Sequence, residues 1–489
     1  MSKKNIVYLT IVAVLFVATA VIIVNSYNTN KGAVFLGENN KVINKDGQQS
    51  MESKEPLVMG AGWSSNDLEM EAVQESIEMM LNKMGETSPE FVMIYSESSY
   101  DNLKILAEVN NQLGEDVKVY GWTSFQNTVT NAGMQKFSIL GFSNRLKAGV
   151  GGCSLDEVNY PGENGSKEEV FKSAISAAEI ATKRALENAG KESGDKPRMV
   201  LISGATYFLP GTLKNPVEER YIEGIENIVG KGVPIVGGLA ADTAASGNEK
   251  VFVNNKVYDF GSVSVAVLYT DVKIGLEGSS PKVGYGFLGG FTPTTKSAVV
   301  TKVEGHVLYE LDNRPCAEVY NEWTNGALGS RIGTTDWVID YTALYPLAEK
   351  ISMEDEVPGY YNKLIHYFNN PEPGVCKLAC EVEEGTTLYF LEGTTNMFVN
   401  RGALTAMFAR SQGKITTEEI AGGYMVFCAG SFLTIDKLDY GKIATSIDES
   451  LGGAPFIGGY EFGGFGSFFG AAKNVFTTQM CSFLVFAKN

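Results

Sequence analysis

Few residues in this chain are suited to covalent chemistry, and their neighbours narrow the choices further. Six cysteines and two histidines are spread over 489 residues. Nucleophilic catalysis needs a base beside a serine or cysteine. His306 precedes the apolar run Val307-Leu308-Tyr309, and His366 lies in the helical-looking stretch Leu364–Phe368, so both read as packed or surface groups. Cys428 closes the apolar run Tyr424–Cys428 and is the cysteine best placed to react. Its competing role is a small buried hydrophobe, the usual fate of a free cysteine. Two histidines nearly exclude a multi-histidine metal site, and Cys376 with Cys380 lacks a nearby histidine for zinc. A disulfide between those two stays open, although four-residue spacing on a helix suits one poorly. Gly284-Tyr-Gly286-Phe-Leu-Gly289 fits the G-x-G-x-x-G pattern, but Phe291, Thr292 and Pro293 follow where a dinucleotide fold opens a helix. No catalytic residue, metal or cofactor is assigned.

Binding chemistry is better provided for. In open α/β sheets, ligands lie beyond the carboxyl ends of parallel strands. That rule selects Ser96, Glu97, Trp122, Thr123, Ser124, Ser203, Thr206, Asp242, Cys428, Ser431, Tyr460 and Glu461. Hydroxyls, carboxylates, aromatic rings and backbone amides suit a small polar ligand, although the same residue types also serve as turns and caps. Arg314, in the turn before a helix expected over Cys316–Trp323, is the cation best able to hold an anionic ligand in two-point contact.

A repeated unit positions these loops. Three stretches share the order buried strand, polar loop, helix, short strand, glycine turn. They begin at Phe91, Met199 and Tyr424 and reach their turns at Gly121, Gly237 and Gly458, separations of 30, 38 and 34 residues. A strand, crossover helix and second strand need about that length, so each is a βαβ unit. Apolar strands at Phe137–Phe142, Val263–Leu268 and Cys481–Phe486 end the units. Starts lie 108 and then 225 residues apart, which leaves room for a degenerate fourth unit near Val307.

Charge separates the two ends of the chain. The net charge is −17, with residues 1–55 at +2 and the remainder at −19. A body so acidic is no nucleic-acid binder, since phosphate binding rests on Lys and Arg. Ile6–Val24 is an uncharged run of 19 residues behind Lys3 and Lys4, long enough for a membrane anchor with the rest of the chain outside the cell. A cleaved signal peptide is the alternative, from Ala18-Thr19-Ala20. Residues 25–55 read as a flexible polar linker. The sequence thus predicts an α/β protein of repeated βαβ units with glycine turns, preceded by one transmembrane helix at 1–24 and placed at the cell membrane.

Val233–Asp242, Val303–Tyr320, Phe427–Gly430 and Pro455–Tyr460, in this order and spacing, resemble the FIST family. The resemblance implies two related modules, at 56–300 and 301–489, and a sensory role in signal transduction. It also implies a small polar ligand such as an amino acid and an unknown signalling protein as partner. One departure concerns charge: where the family tends to carry Gly-Glu after the final turn, this chain has Gly463-Gly464, and the carboxylate stands at Glu461. An enzyme using Cys428 or a loop serine, a hydrolase or transferase, is the alternative from another class.

Overall fold

The computed structural model describes residues 55–206, 215–270, 282–334, 336–351, 359–368, 374–468 and 473–489. The expected anchor at 6–24 lies outside the described residues, as does nearly all of the linker. Among the described residues no helix is long and apolar enough to cross a membrane. The single-pass membrane placement is corrected accordingly, and the extracytoplasmic position drawn from it has no support. The longest described helix, Lys167–Asn188, has 22 residues but is two-faced: alanines line its buried side while Glu168, Lys183 and Glu187 face solvent.

Three units of one design follow each other. The first comprises β1 (Met59–Ser64), the helix Glu69–Met84, β2 (Phe91–Glu97), the helix Asn102–Leu113, β3 (Lys118–Ser124), a hairpin of β4 (Thr128–Thr130) and β5 (Gly133–Gln135), and β6 (Phe137–Phe142). The second repeats this with β7 (Leu146–Ser154), the helix Lys167–Asn188, β8 (Met199–Ala205), the helix Glu218–Val229, β9 (Ile235–Leu239), a hairpin of β10 (Val251–Val253) and β11 (Lys256–Tyr258), and β12 (Ser262–Thr270). The third begins with β13 (Val283–Leu288) and is then interrupted. The inserted strands are β14 (Thr292–Glu304), β15 (Val307–Leu311), β16 (Arg314–Pro315), β17 (Leu347–Ile351), β18 (Gly359–Lys363), β19 (Ile365–Tyr367), β20 (Cys376–Leu378) and β21 (Thr387–Glu392). The unit resumes with the helix Thr395–Gly413, β22 (Ile420–Cys428), the helix Tyr440–Leu451, β23 (Phe456–Glu461), a hairpin of β24 (Gly464–Gly466) and β25 (Val475–Thr477), and β26 (Cys481–Ala487).

The sheets carry the repeat in their strand order: β1-β6-β2-β3, β7-β12-β8-β9 and β13-β26-β22-β23, with β2/β3, β8/β9 and β22/β23 parallel. Each sheet is completed by another unit's hairpin. β10-β11 extends the first sheet beyond β3, β24-β25 the second beyond β9, and β4-β5 the third beyond β23. Inner faces of all three sheets share one core containing Tyr95, Trp122, Leu201, Val236, Tyr424 and Leu484. Each outer face is covered by its own two helices. With both faces buried, the central strands need the continuous apolar runs that the sequence displays.

A G-x-G pair in each unit's first strand lets the following helix cross closely. A Cβ on Gly62 would lie 1.8 Å from Ser76 O, on Gly151 2.3 Å from Ala181 O, and on Gly284 2.1 Å from Ala409 O. The G-x-G-x-x-G match at Gly284 is therefore a helix-to-strand packing device.

The insertion builds a sheet of its own, entirely antiparallel, in the order β18-β17-β21-β14-β15-β20-β19, with β16 on β15. No fourth βαβ unit starts near Val307, since β15 has only antiparallel neighbours. His366 lies on β19 rather than a helix, because Ile365 pairs with Leu378 across the sheet. Cys376 bonds to Cys316, at the start of the helix Cys316–Trp323, while Cys380 stays free and buried.

Candidate functional site

The loops selected from the sequence converge, but largely on one another. Ser124 Oγ donates to Asn127 O (2.7 Å) and accepts from Tyr460 N (2.8 Å). Thr123 Oγ1 accepts from Lys250 N, and the Asp242 carboxylate accepts from the amides of Ser246 and Asn248. Ser96 Oγ donates to Glu97 O, and a Glu97 carboxylate oxygen accepts from Ser99 Oγ. Ser124 and Thr123 tie their unit to the third and second units, while Asp242, Ser96 and Glu97 bond within their own loops, so these groups are committed to the protein itself. Ser203 Oγ and Thr206 Oγ1 are buried without a hydrogen-bond partner among the described residues. Arg314 does not join them: it is exposed on the insertion and makes a two-point ion pair with Glu322.

Near the meeting of the three sheets lies Glu461, at the end of β23 and fully buried. A Cβ on Gly238 would fall 2.7 Å from its Cβ and Cγ, so this glycine of β9 makes the room that the acid occupies. Neither carboxyl oxygen makes a hydrogen bond among the described residues, and neither does Trp122 Nε1. Tyr95 Oη is committed to Met425 O at 3.1 Å. Tyr95 stacks on Tyr424 and meets Trp122 edge-on, so the acid stands beside an aromatic cluster. Burial raises its pKa well above the carboxylate range, against a smaller opposing pull from Trp122 and Tyr95. Burial thus favours the protonated form of Glu461.

Cys428 is 4% exposed, a buried thiol rather than an accessible one. Beside it, Ser431 Oγ accepts from Arg401 Nη1 (2.8 Å), which also donates to Gln479 O (2.9 Å). Arg401 was not singled out by the sequence. It is buried among Phe291, Phe398 and Phe427, and burial lowers its pKa to about 10.

A second site opens where the second unit meets the insertion. It is a cleft of about 640 Å³ whose walls include Glu219, Arg220, Glu349, Lys363, Glu381 and Lys473. Arg220 donates to Glu381 (2.8 Å) while its Nε makes no hydrogen bond among the described residues. Lys363 Nζ donates to Glu381 O (2.7 Å). Asn474 bridges Glu226 and Val233 O at 2.8 and 3.0 Å. At its edge, Glu218 and Glu219 open the helix Glu218–Val229, and His306 faces Glu219 across 3.8 Å. Burial, then the neighbouring Glu219, raises the Glu218 pKa to about 8. For Glu219 burial is again the largest influence, but the His306 imidazole and two backbone amides together bring it below its usual value. These residues escaped the sequence because their partners are distant in the chain; the adjacent acids at a helix start were the only available signal.

The architecture defines a mixed α/β protein of several sheets. Residues 90–314 match the FIST N domain and residues 316–467 the FIST C domain. The chain carries both, and FIST domains are a sensory, signal-transduction type of domain. Among curated proteins none matches this chain. A solved cyanuric acid hydrolase, described as an evolutionary innovation by structural concatenation, aligns over 89% of this chain and 100% of its own, at 8% identity and a TM-score of 0.38. The cyanuric acid hydrolase from A. caulinodans aligns over 88% and 100%, at 8% identity and a TM-score of 0.34. At these scores neither fold nor activity carries over.

Proposed function

We propose that this protein is a sensory module that binds a small zwitterionic metabolite of the amino-acid class in the cleft between the second unit and the insertion. The observation that carries this reading is the cleft itself: about 640 Å³, with Arg220 and Lys363 set among Glu219, Glu349 and Glu381. That volume suits a small molecule, and charges of both signs match a ligand bearing an ammonium and a carboxylate. The Arg220 guanidinium, held by Glu381 at 2.8 Å, is the cation at which a ligand carboxylate would compete. The FIST N and FIST C domains support a sensory role, with the bound state read by a signalling partner protein. The strand-end loops are a poorer seat for a ligand, since their polar groups mostly satisfy each other.

The test is a thermal-shift screen of the full chain against single amino acids and related zwitterions. A ligand at 100 times its dissociation constant stabilises by about 2.7 kcal/mol. The expected result is a shift with one compound class, abolished by Arg220→Ala; no shift with any of them defeats the reading.

A further inference from the structure

His306 sits in the turn between β14 and β15, 5% exposed. Its Nε2 makes no hydrogen bond among the described residues; Glu219 Oε1 faces it at 3.8 Å. One donor atom each from Glu218, Glu219 and His306 lies within 4.8 Å of the others. Glu219 Oε2 likewise makes no hydrogen bond among the described residues, while Oε1 accepts from Glu381 N at 2.8 Å. Two acids at a helix start are explained by the helix dipole. The dipole does not explain a buried imidazole, delivered from the insertion, whose nitrogen is turned toward those acids and left unbonded.

Imidazole nitrogen with carboxylate oxygen is a donor set for zinc and its first-row neighbours. Donors about 2.1 Å from one ion stand roughly 3–4 Å apart, so small side-chain rotations would close this group around a cation. Lys377, nearby on β20, and Arg220, next to Glu219 on its helix, are the opposing charges that a bound cation would meet. A chain with two histidines makes a poor multi-histidine site, but one histidine with two carboxylates leaves a coordination position for water or ligand.

We propose that Glu218, Glu219 and His306 bind a divalent transition-metal cation of the zinc class, joining the second unit to the inserted sheet. The site does not depend on the amino-acid reading, although Glu219 also lines the cleft.

The experiment titrates Zn²⁺ and Co²⁺ into the chelator-treated full chain by calorimetry and, for Co²⁺, visible absorption, with Mg²⁺ and Ca²⁺ as hard-cation comparisons. One equivalent should bind, with Zn²⁺ preferred over Mg²⁺. Loss of a partner that only orients a metal ligand costs 10–100-fold in affinity, so removing a ligand in His306→Gln or Glu219→Gln should cost at least about 100-fold. Glu219→Gln keeps the test decisive if His306→Gln fails to fold, and metal-free melts of both variants identify such a failure. Absence of saturable binding, binding unchanged in a folded variant, or preference for Mg²⁺ or Ca²⁺ overturns the proposal. Amino-acid shifts measured in chelator report on the cleft separately, so either idea can fall alone.

Discussion

Glu461 and Glu218 are both enclosed glutamates, at 0% and 1% exposure, yet they keep different company. Glu461 stands beside aromatic rings, so burial outweighs the smaller pull of Trp122 and Tyr95 and favours its protonated form. Glu218 shares its surroundings with Glu219, His306 and Lys377 beside an open cleft. A second acid, an imidazole and an ammonium make that region responsive to whatever charge enters. Burial of an acid therefore does not mark a binding site by itself; the site is where burial meets uncommitted partners and an entrance.

The contrast can be broken from either side. Trp122→Ala removes a fully buried indole from the core beside Glu461 and should cost about 3–5 kcal/mol in denaturant melts. Binding in the cleft should survive under conditions where that variant stays folded. Cys376→Ser opens the bond to Cys316, which closes a sequence separation of 60 in the insertion and lies beside Lys377. Stability should fall by about 2–4 kcal/mol, and cleft binding should weaken while the aromatic core is unchanged in near-ultraviolet circular dichroism.

Glu461→Gln sharpens the comparison through pH. The folded pKa is raised above the unfolded one. The native acid's contribution is therefore fully present below the unfolded value and is lost as pH rises toward the folded value. Relative to the native protein, the glutamine variant should gain up to about 1.4 kcal/mol per pH unit above pH 5. Parallel melts at pH 5, 6 and 7 check this, and a flat difference would mean that Glu461 is ionised. The smallest effect belongs to Arg314→Ala: its ion pair is exposed, and neither the melting midpoint nor cleft binding should change measurably in the same assays.

The sequence made some of this legible and hid the rest for physical reasons. Three βαβ units could be read because Phe91–Glu97, Met199–Ala205 and Ile420–Cys428 are apolar along both faces and each is followed by a helix and a glycine-bearing strand. The hairpin exchange could not, since strands of three residues such as Thr128–Thr130 are too short to show a period. Glu461 stood among the candidate residues, but only Gly238, brought over from another sheet, reveals that the acid is buried. His306 and Glu219 meet from different parts of the chain through the insertion's own folding, which neither local pattern encodes. Cys376 paired with Cys316 for a similar reason: β20 lies next to β15, whose partner β16 leads into the helix beginning at Cys316.

The cyclic gift of hairpins also sets a timetable for synthesis. β9 is complete at Leu239, but the strand that covers its outer edge begins at Gly464, 225 residues later. At about 5–20 residues per second, a ribosome needs roughly 10–45 s to supply it. During that interval the nascent chain presents a bare apolar edge of the kind that recruits foreign strands. A fragment ending after the second unit would keep that edge uncovered, since only β24 of the third unit pairs with it among the described residues.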